Sequence, residues 1–130
     1  MSLQELLPQF CAWADAVLAA KPPYGIAAFN FNIYEGSESH HVEIVGYPTY
    51  DPSDSDWACD DIFGSGKPRF ELRHGIVGQG WEQALEVAKQ FLQTYLATGS
   101  GWARRAQESL AVSIGFVDGD LHLVWSQNKA

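Results

Sequence analysis

The run from Val112 to Trp125 constrains this chain most, because an Asp-Gly pair, Asp118-Gly119, separates two strand-like segments. Asp-Gly favours the two-residue turns whose twist matches that of the strands they join. With Val117 opposite Asp120, Phe116 faces Leu121, Ile114 faces Leu123 and Val112 faces Trp125. Those six side chains share one face, and Ser113, Gly115, His122 and Val124 take the other. A one-residue slip would mix the two sets, so the pattern selects its own register. An apolar hairpin face needs a cover, and helices are the expected one.

The rest of the chain supplies matching pieces. Phe29, Phe31 and Ile33 alternate with Asn30, Asn32 and Tyr34, the period of a half-buried strand. Polar Glu35–Ser39, with Gly36 free to turn, leads to a second strand, His41–Tyr47, that Pro48 ends or places at a sheet edge. Arg69–Arg73 reads as a short strand around Phe70 and Leu72, and Gly75, Gly78 and Gly80 as a loop. Ser2 and Glu5 form a capping box, after which Leu3, Leu6, Leu7, Phe10, Ala14, Val17 and Leu18 recur at helical spacing. Pro8 predicts a kink or a late start there, and Lys21-Pro22-Pro23 an end. A longer helix is expected from Trp81 to about Thr98, with Trp81, Ala84, Leu85, Ala88, Leu92, Tyr95 and Leu96 as its apolar stripe. Gly99 and Gly101 stop it, and Trp102–Ser109 forms a short helical piece. This order predicts one α+β domain over residues 1–130, an antiparallel sheet built from hairpins with helices packed on one face.

Composition narrows the class. Hydrophobic residues make up 46% of the 130, which excludes a disordered chain. No apolar run approaches the roughly 18 residues of a membrane span. Glu5 precedes any basic residue at the N-terminus, unlike a secretory signal. Two cysteines, Cys11 and Cys59, neither make a disulfide framework nor have metal-ligand spacing. A reduced, cytoplasmic protein is the simplest expectation. The net charge is −8, and it is uneven: up to Asp61 only Lys21 opposes ten acidic residues, and beyond it seven basic residues meet six acidic ones. Such a chain is a poor nucleic-acid binder, because phosphates require Lys and Arg. Its field would attract a basic protein, or serve solubility alone.

The negative charge peaks in Tyr50–Phe63, where Asp51, Asp54, Asp56, Asp60 and Asp61 surround Trp57 and Cys59. The segment reads as a short helix capped by Ser53 or Asp54. Trp57 is either an anchor for a cationic surface or a pin that holds the helix to the sheet. Counting an EF-hand loop from Asp51 puts Asp56 where Gly belongs and Ile62 where Glu belongs, so that site fails; an irregular divalent-cation site stays open. Gly64-Ser65-Gly66-Lys67 lacks the following Ser or Thr of a phosphate loop, since Pro68 stands there. Neighbouring aspartates disfavour a Cys59 thiolate, which suits packing better than nucleophilic attack. His40 and His41 point to opposite strand faces, His74 adjoins the glycine loop, and His122 points off the buried face, so each is read as a surface or rim residue. Trp13, Trp81, Trp102 and Trp125 are read as core. Asn30 and Asn32 either line a polar pocket or face solvent. No catalytic residue, metal ligand or cofactor site is assigned.

Taken together, Asp54–Phe63, the helix opened by Trp81 and Gly115–Leu121 resemble small acidic bacterial proteins of the immunity type. That resemblance implies a non-enzymatic cytosolic inhibitor that binds a basic toxin domain and masks it with carboxylates. The expected contact residues are Asp51, Asp54, Asp56, Trp57, Asp60 and Asp61. The alternative is a small enzyme or ligand-binding domain with a pocket near Asn30, Asn32 and His41, with or without a divalent cation.

Overall fold

Ser2 and Glu5 cap the first helix reciprocally: the Glu5 N–H donates to Ser2 Oγ at 3.3 Å, and the Ser2 N–H to Glu5 Oε1 at 3.2 Å. From there α1 runs Leu3–Ala19 and turns Leu6, Phe10, Ala14 and Leu18 inward. Pro8 neither delays nor ends it. Pro8 and Gln4, whose carbonyl loses its helical partner, are both exposed, so water can take that bond. The structure, a computed structural model, describes residues 2–19, 25–54, 57–58, 61–66, 69–97, 101–117 and 119–126. Lys21–Pro23, Asp56, Cys59, Asp60, Lys67, Pro68, Thr98, Gly99, Asp118 and the Trp102 side chain, all used above, lie outside that description.

The remaining elements are β1 (Ala28–Tyr34), β2 (Ser39–Tyr47), β3 (Phe63–Gly64), β4 (Phe70–Arg73), the single turn α2 (His74–Val77), α3 (Trp81–Ala97), α4 (Gly101–Gln107), β5 (Ala111–Phe116) and β6 (His122–Ser126). The strands form one six-stranded sheet. Its order is β3-β2-β1-β5-β6, and β4 also pairs with β2 beyond β3. The β1–β2 hairpin is antiparallel, but β5 runs parallel to β1, with Asn30 beside Ser113 and Asn32 beside Gly115. The sheet is therefore mixed rather than wholly antiparallel. Local pattern identifies β1 and β5 as strands but not which way they meet. β3, two residues long, has no readable period.

The alternation in β1 sorts the two faces. Phe29, Phe31 and Ile33 join Val42, Ile44, Phe70, Leu72, Val112 and Ile114 under α1, α3 and α4 in the main core. Helix α3 contributes Phe91 in addition to the expected stripe, whereas Trp81 is 54% exposed and only leans edge-on against Phe116. As the first residue of α3, it is left uncovered, whereas the later residues of the stripe are buried. Tyr95 ties α3 to α1, its hydroxyl donating to Asp15 Oδ1 at 2.7 Å. No helix among the described residues is long and apolar enough to cross a membrane.

The C-terminal hairpin departs from its expected register. Val112 pairs with Trp125 as anticipated, but Ser113 then pairs with Leu123 and Ile114 with His122. Val124 is the extra residue of a bulge. The bulge places Val124 and Trp125 together against the helix-side core. It sends Leu123, 56% exposed, to the face of Ser113, and brings His122 opposite buried Ile114 rather than away from the helices. The turn shifts too, with the Gly119 N–H donating to the Phe116 carbonyl at 2.9 Å.

Candidate functional site

The face of the sheet turned away from α1, α3 and α4 carries a second, smaller core. Ala28, Val45, Tyr47 and Ala111 lie beneath Trp57, with Tyr50, Ala58 and Leu121 packed around them. Trp57 is 9% exposed and meets the rings of Tyr47 and Tyr50, each 5.3 Å away and steeply tilted. It pins the aspartate segment to the sheet. The indole is therefore not displayed on the surface as an anchor would be.

A tight turn rather than a regular helix opens the segment at Asp51–Asp54. The Asp51 carboxylate accepts from the Ser53 N–H at 2.9 Å and from Ser53 Oγ at 2.7 Å. The Asp54 N–H then donates to the Asp51 carbonyl, and the Trp57 N–H to that of Asp54. An aspartate readily folds back on backbone donors two residues on, and Asp51 does so here, ahead of the Ser53 and Asp54 positions expected to cap. Trp57–Ala58 is the only helical fragment among the described residues of the segment. The Ile62 N–H returns to the Gly46 carbonyl at 2.9 Å, and β3 rejoins β2.

Asp51, Asp54 and Asp61 are all exposed on this excursion. The hydrogen bonds from Ser53, the backbone one first, hold the Asp51 carboxyl below the usual aspartate value, so it stays charged into mild acid. Farther along the same face, Glu43 is compensated. Its carboxylate accepts from Tyr34 Oη at 2.9 Å and from the Gly66 N–H at 3.0 Å, and Arg69 lies 3.7 Å from it and 3.9 Å over the Tyr34 ring.

Two clefts flank Leu121. One, about 370 Å³, runs between the Tyr50–Asp54 lip with Trp57 and a wall of Leu121 and Leu123, above Ser113. The other, about 450 Å³, is lined by Asn30, Asn32, Tyr47, Asp120 and Leu121 among others. Asn30 is 1% exposed, contrary to the solvent-facing alternative: its Nδ2 donates to Asn32 Oδ1, and its Oδ1 accepts from Ser113 Oγ at 2.8 Å. His41 stands opposite Tyr34 and Glu71, outside the lining of that cleft. Among the described residues no group of three or more His, Cys, Asp or Glu side chains could hold a metal ion.

The histidine reading changes at His40. It is 2% exposed, with its ring 4.7 Å from that of His74 and 5.6 Å from Phe116, so it is neither a surface nor a rim residue. Of the expected contact residues, the structure brings Asp51, Asp54 and Trp57 to one cleft and leaves Asp61 exposed on the same excursion. Leu121, Leu123 and Ser113 are not among the expected contacts; the bulge turns Leu123 to the face that Ser113 already occupies, and no local pattern signals that turn. Comparison with family models, with curated proteins and with solved structures finds no match for this chain.

Proposed function

We propose that this chain is a non-enzymatic, immunity-type binding protein that neutralises a basic partner, a toxin domain, through the aspartate lip and its cleft. The observation that carries this reading is the pairing of exposed Asp51 and Asp54 with the exposed Leu123 wall across one groove. A lysine or arginine side chain has matching halves: its stem lies along Leu121 and Leu123 while its charge meets the carboxylates. Trp57 acts as a positioning residue that holds the lip in place. Asp56 and Asp60 extend the acidic run in the sequence.

Joint replacement of Asp51, Asp54 and Asp61 by Asn tests this. Asn at 51 still accepts from Ser53, so the turn survives while the charge is lost. With a basic toxin domain captured from the source cell, the association rate at low salt is expected to fall about tenfold, and its salt dependence to flatten. An unchanged rate would remove the lip as the contact surface.

The second reading, a ligand pocket, is favoured by the Asn30–Asn32 cleft. It predicts that a polar metabolite or divalent cation at 100 times its dissociation constant stabilises the fold by about 2.7 kcal/mol, seen as a raised melting temperature. Absence of any shift across such a screen would count against it.

A further inference from the structure

His40 and His74 meet where β2 begins, β4 passes into α2 and β5 ends. Backbone pairing already brings these elements together: Ser39 lies opposite Arg73 and His40 opposite Leu72, and the His74 N–H donates to the Glu38 carbonyl at 3.0 Å. The two imidazoles then pack at 4.7 Å with Phe116 edge-on to His40, and Trp81 edge-on to Phe116. Among the described residues neither His40 Nδ1 nor His74 Nε2, both buried atoms, has a hydrogen-bond partner. Buried polar atoms are normally paired, so two orphans in one contact call for an explanation.

We propose that the His40–His74 contact is an acid-sensitive latch: neutral rings hold the β4–α2 junction against β2 and β5, and protonation releases it. A proton added at the orphaned Nδ1 of His40 creates a buried cation whose donor has no acceptor. A second proton sets two positive charges against each other at ring-contact distance. Separation lets water reach both rings. It also frees the short α2 turn, which is closed by the Gly78 N–H donating to the His74 carbonyl, at the threshold of α3.

The surrounding charges oppose one another. Glu35, on the β1–β2 connection, favours the protonated form of His40, and His41 on β2 disfavours it. Glu38 contributes its carbonyl to His74; β4 brings Arg73 and Glu71, paired with each other at 3.7 Å; β5 brings uncharged Phe116, and α3 brings Trp81 with Glu82 following it. The balance falls against protonation: burial first, and His74 second, push His40 below the ordinary histidine value. The unfolded chain takes up this proton near pH 6.5 and the folded chain only at lower pH. The resulting stability is therefore full above about pH 6.5 and is lost as the pH falls through the folded-state value.

The test compares the native chain with His74→Gln and, as a control, His41→Gln, following the histidine ring resonances from pH 8 to 4.5 and the urea midpoint at pH 7.5 and 5.5. His40 is expected to titrate below the ordinary range and to move upward in His74→Gln. The fall in urea midpoint between the two pH values is expected to shrink by about half in that variant and to persist in His41→Gln. If His74→Gln does not fold, His74→Phe keeps a ring against His40 without the charge. An unmoved His40 titration, or an equal fall in all three proteins, would overturn the latch. So would stabilisation by zinc at pH 7.5 that His74→Gln abolishes, since the rings would then be metal ligands.

Discussion

Phe10→Ala is expected to lower the free energy of unfolding by about 4 kcal/mol, measured by urea denaturation at neutral pH. Phe10 has no exposed surface and lies on the inward stripe of α1. Its ring meets Trp13, Phe31, Phe70, Phe91 and Tyr95 at centroid distances from 5.3 to 6.4 Å, with Phe70 and Tyr95 edge-on. Those partners come from α1, β1, β4 and α3, so one truncation removes the common contact of both layers. Aromatic pairs contribute beyond the area they bury, and a rigid cluster cannot collapse to fill the void. Phe10→Leu, which keeps most of the volume, is expected to cost about 1.5 kcal/mol or less. A loss below about 2 kcal/mol for the alanine variant would mean that the layers repack without it.

Gly115→Ala is expected to cost about 2 kcal/mol and to disturb the cleft wall as well. A methyl group there would overlap the Asp120 carbonyl oxygen and stand 3.4 Å from Leu121 Cα. Both are backbone atoms, so no side-chain rotation relieves the contact. The chain returning from the turn would have to lift off β5, carrying with it Asp120 and Leu121, which line the clefts. Amide resonances from Gly119 to Leu123 are expected to shift together with the loss of stability. Gly75→Ala is the control: nothing lies within 4 Å of the added carbon, and the site is in the helical turn α2. A Gly115→Ala protein as stable as this control would show that the return from the turn is not held against β5.

Much of the fold was legible because its signals act over a few residues. The Ser2–Glu5 box, the alternation of Phe29 to Tyr34 and most of the α3 stripe each follow from the repeat of a single helix or strand. Trp81 is the instructive failure. It matches the stripe by spacing, but at the first position of α3 it stays exposed while the stripe residues after it are buried. The hairpin register failed for a similar reason. Alternation and the Asp-Gly pair favour an unbroken ladder, whereas the tight passage of Asp120 over Gly115 accompanies a bulge at Val124. The candidate site was legible as a concentration of charge and illegible as a shape. Burial of Trp57 depends on Tyr47 and Tyr50, and the opposite wall on Leu123, some seventy positions from the lip.

Legible from local pattern were α1, α3, β1, β2 and β5, the apolar face of the first hairpin, and the imbalance of charge before and after Asp61. These depend on neighbours within a turn or a pleat, or on composition alone. Tertiary packing alone sets β5 parallel to β1, which joins Asn30 to Ser113 across 83 positions, and brings half-buried His74 against buried His40 at the start of β2. Such contacts are set by how whole layers stack and by which backbone atoms come too close, and no local period encodes either.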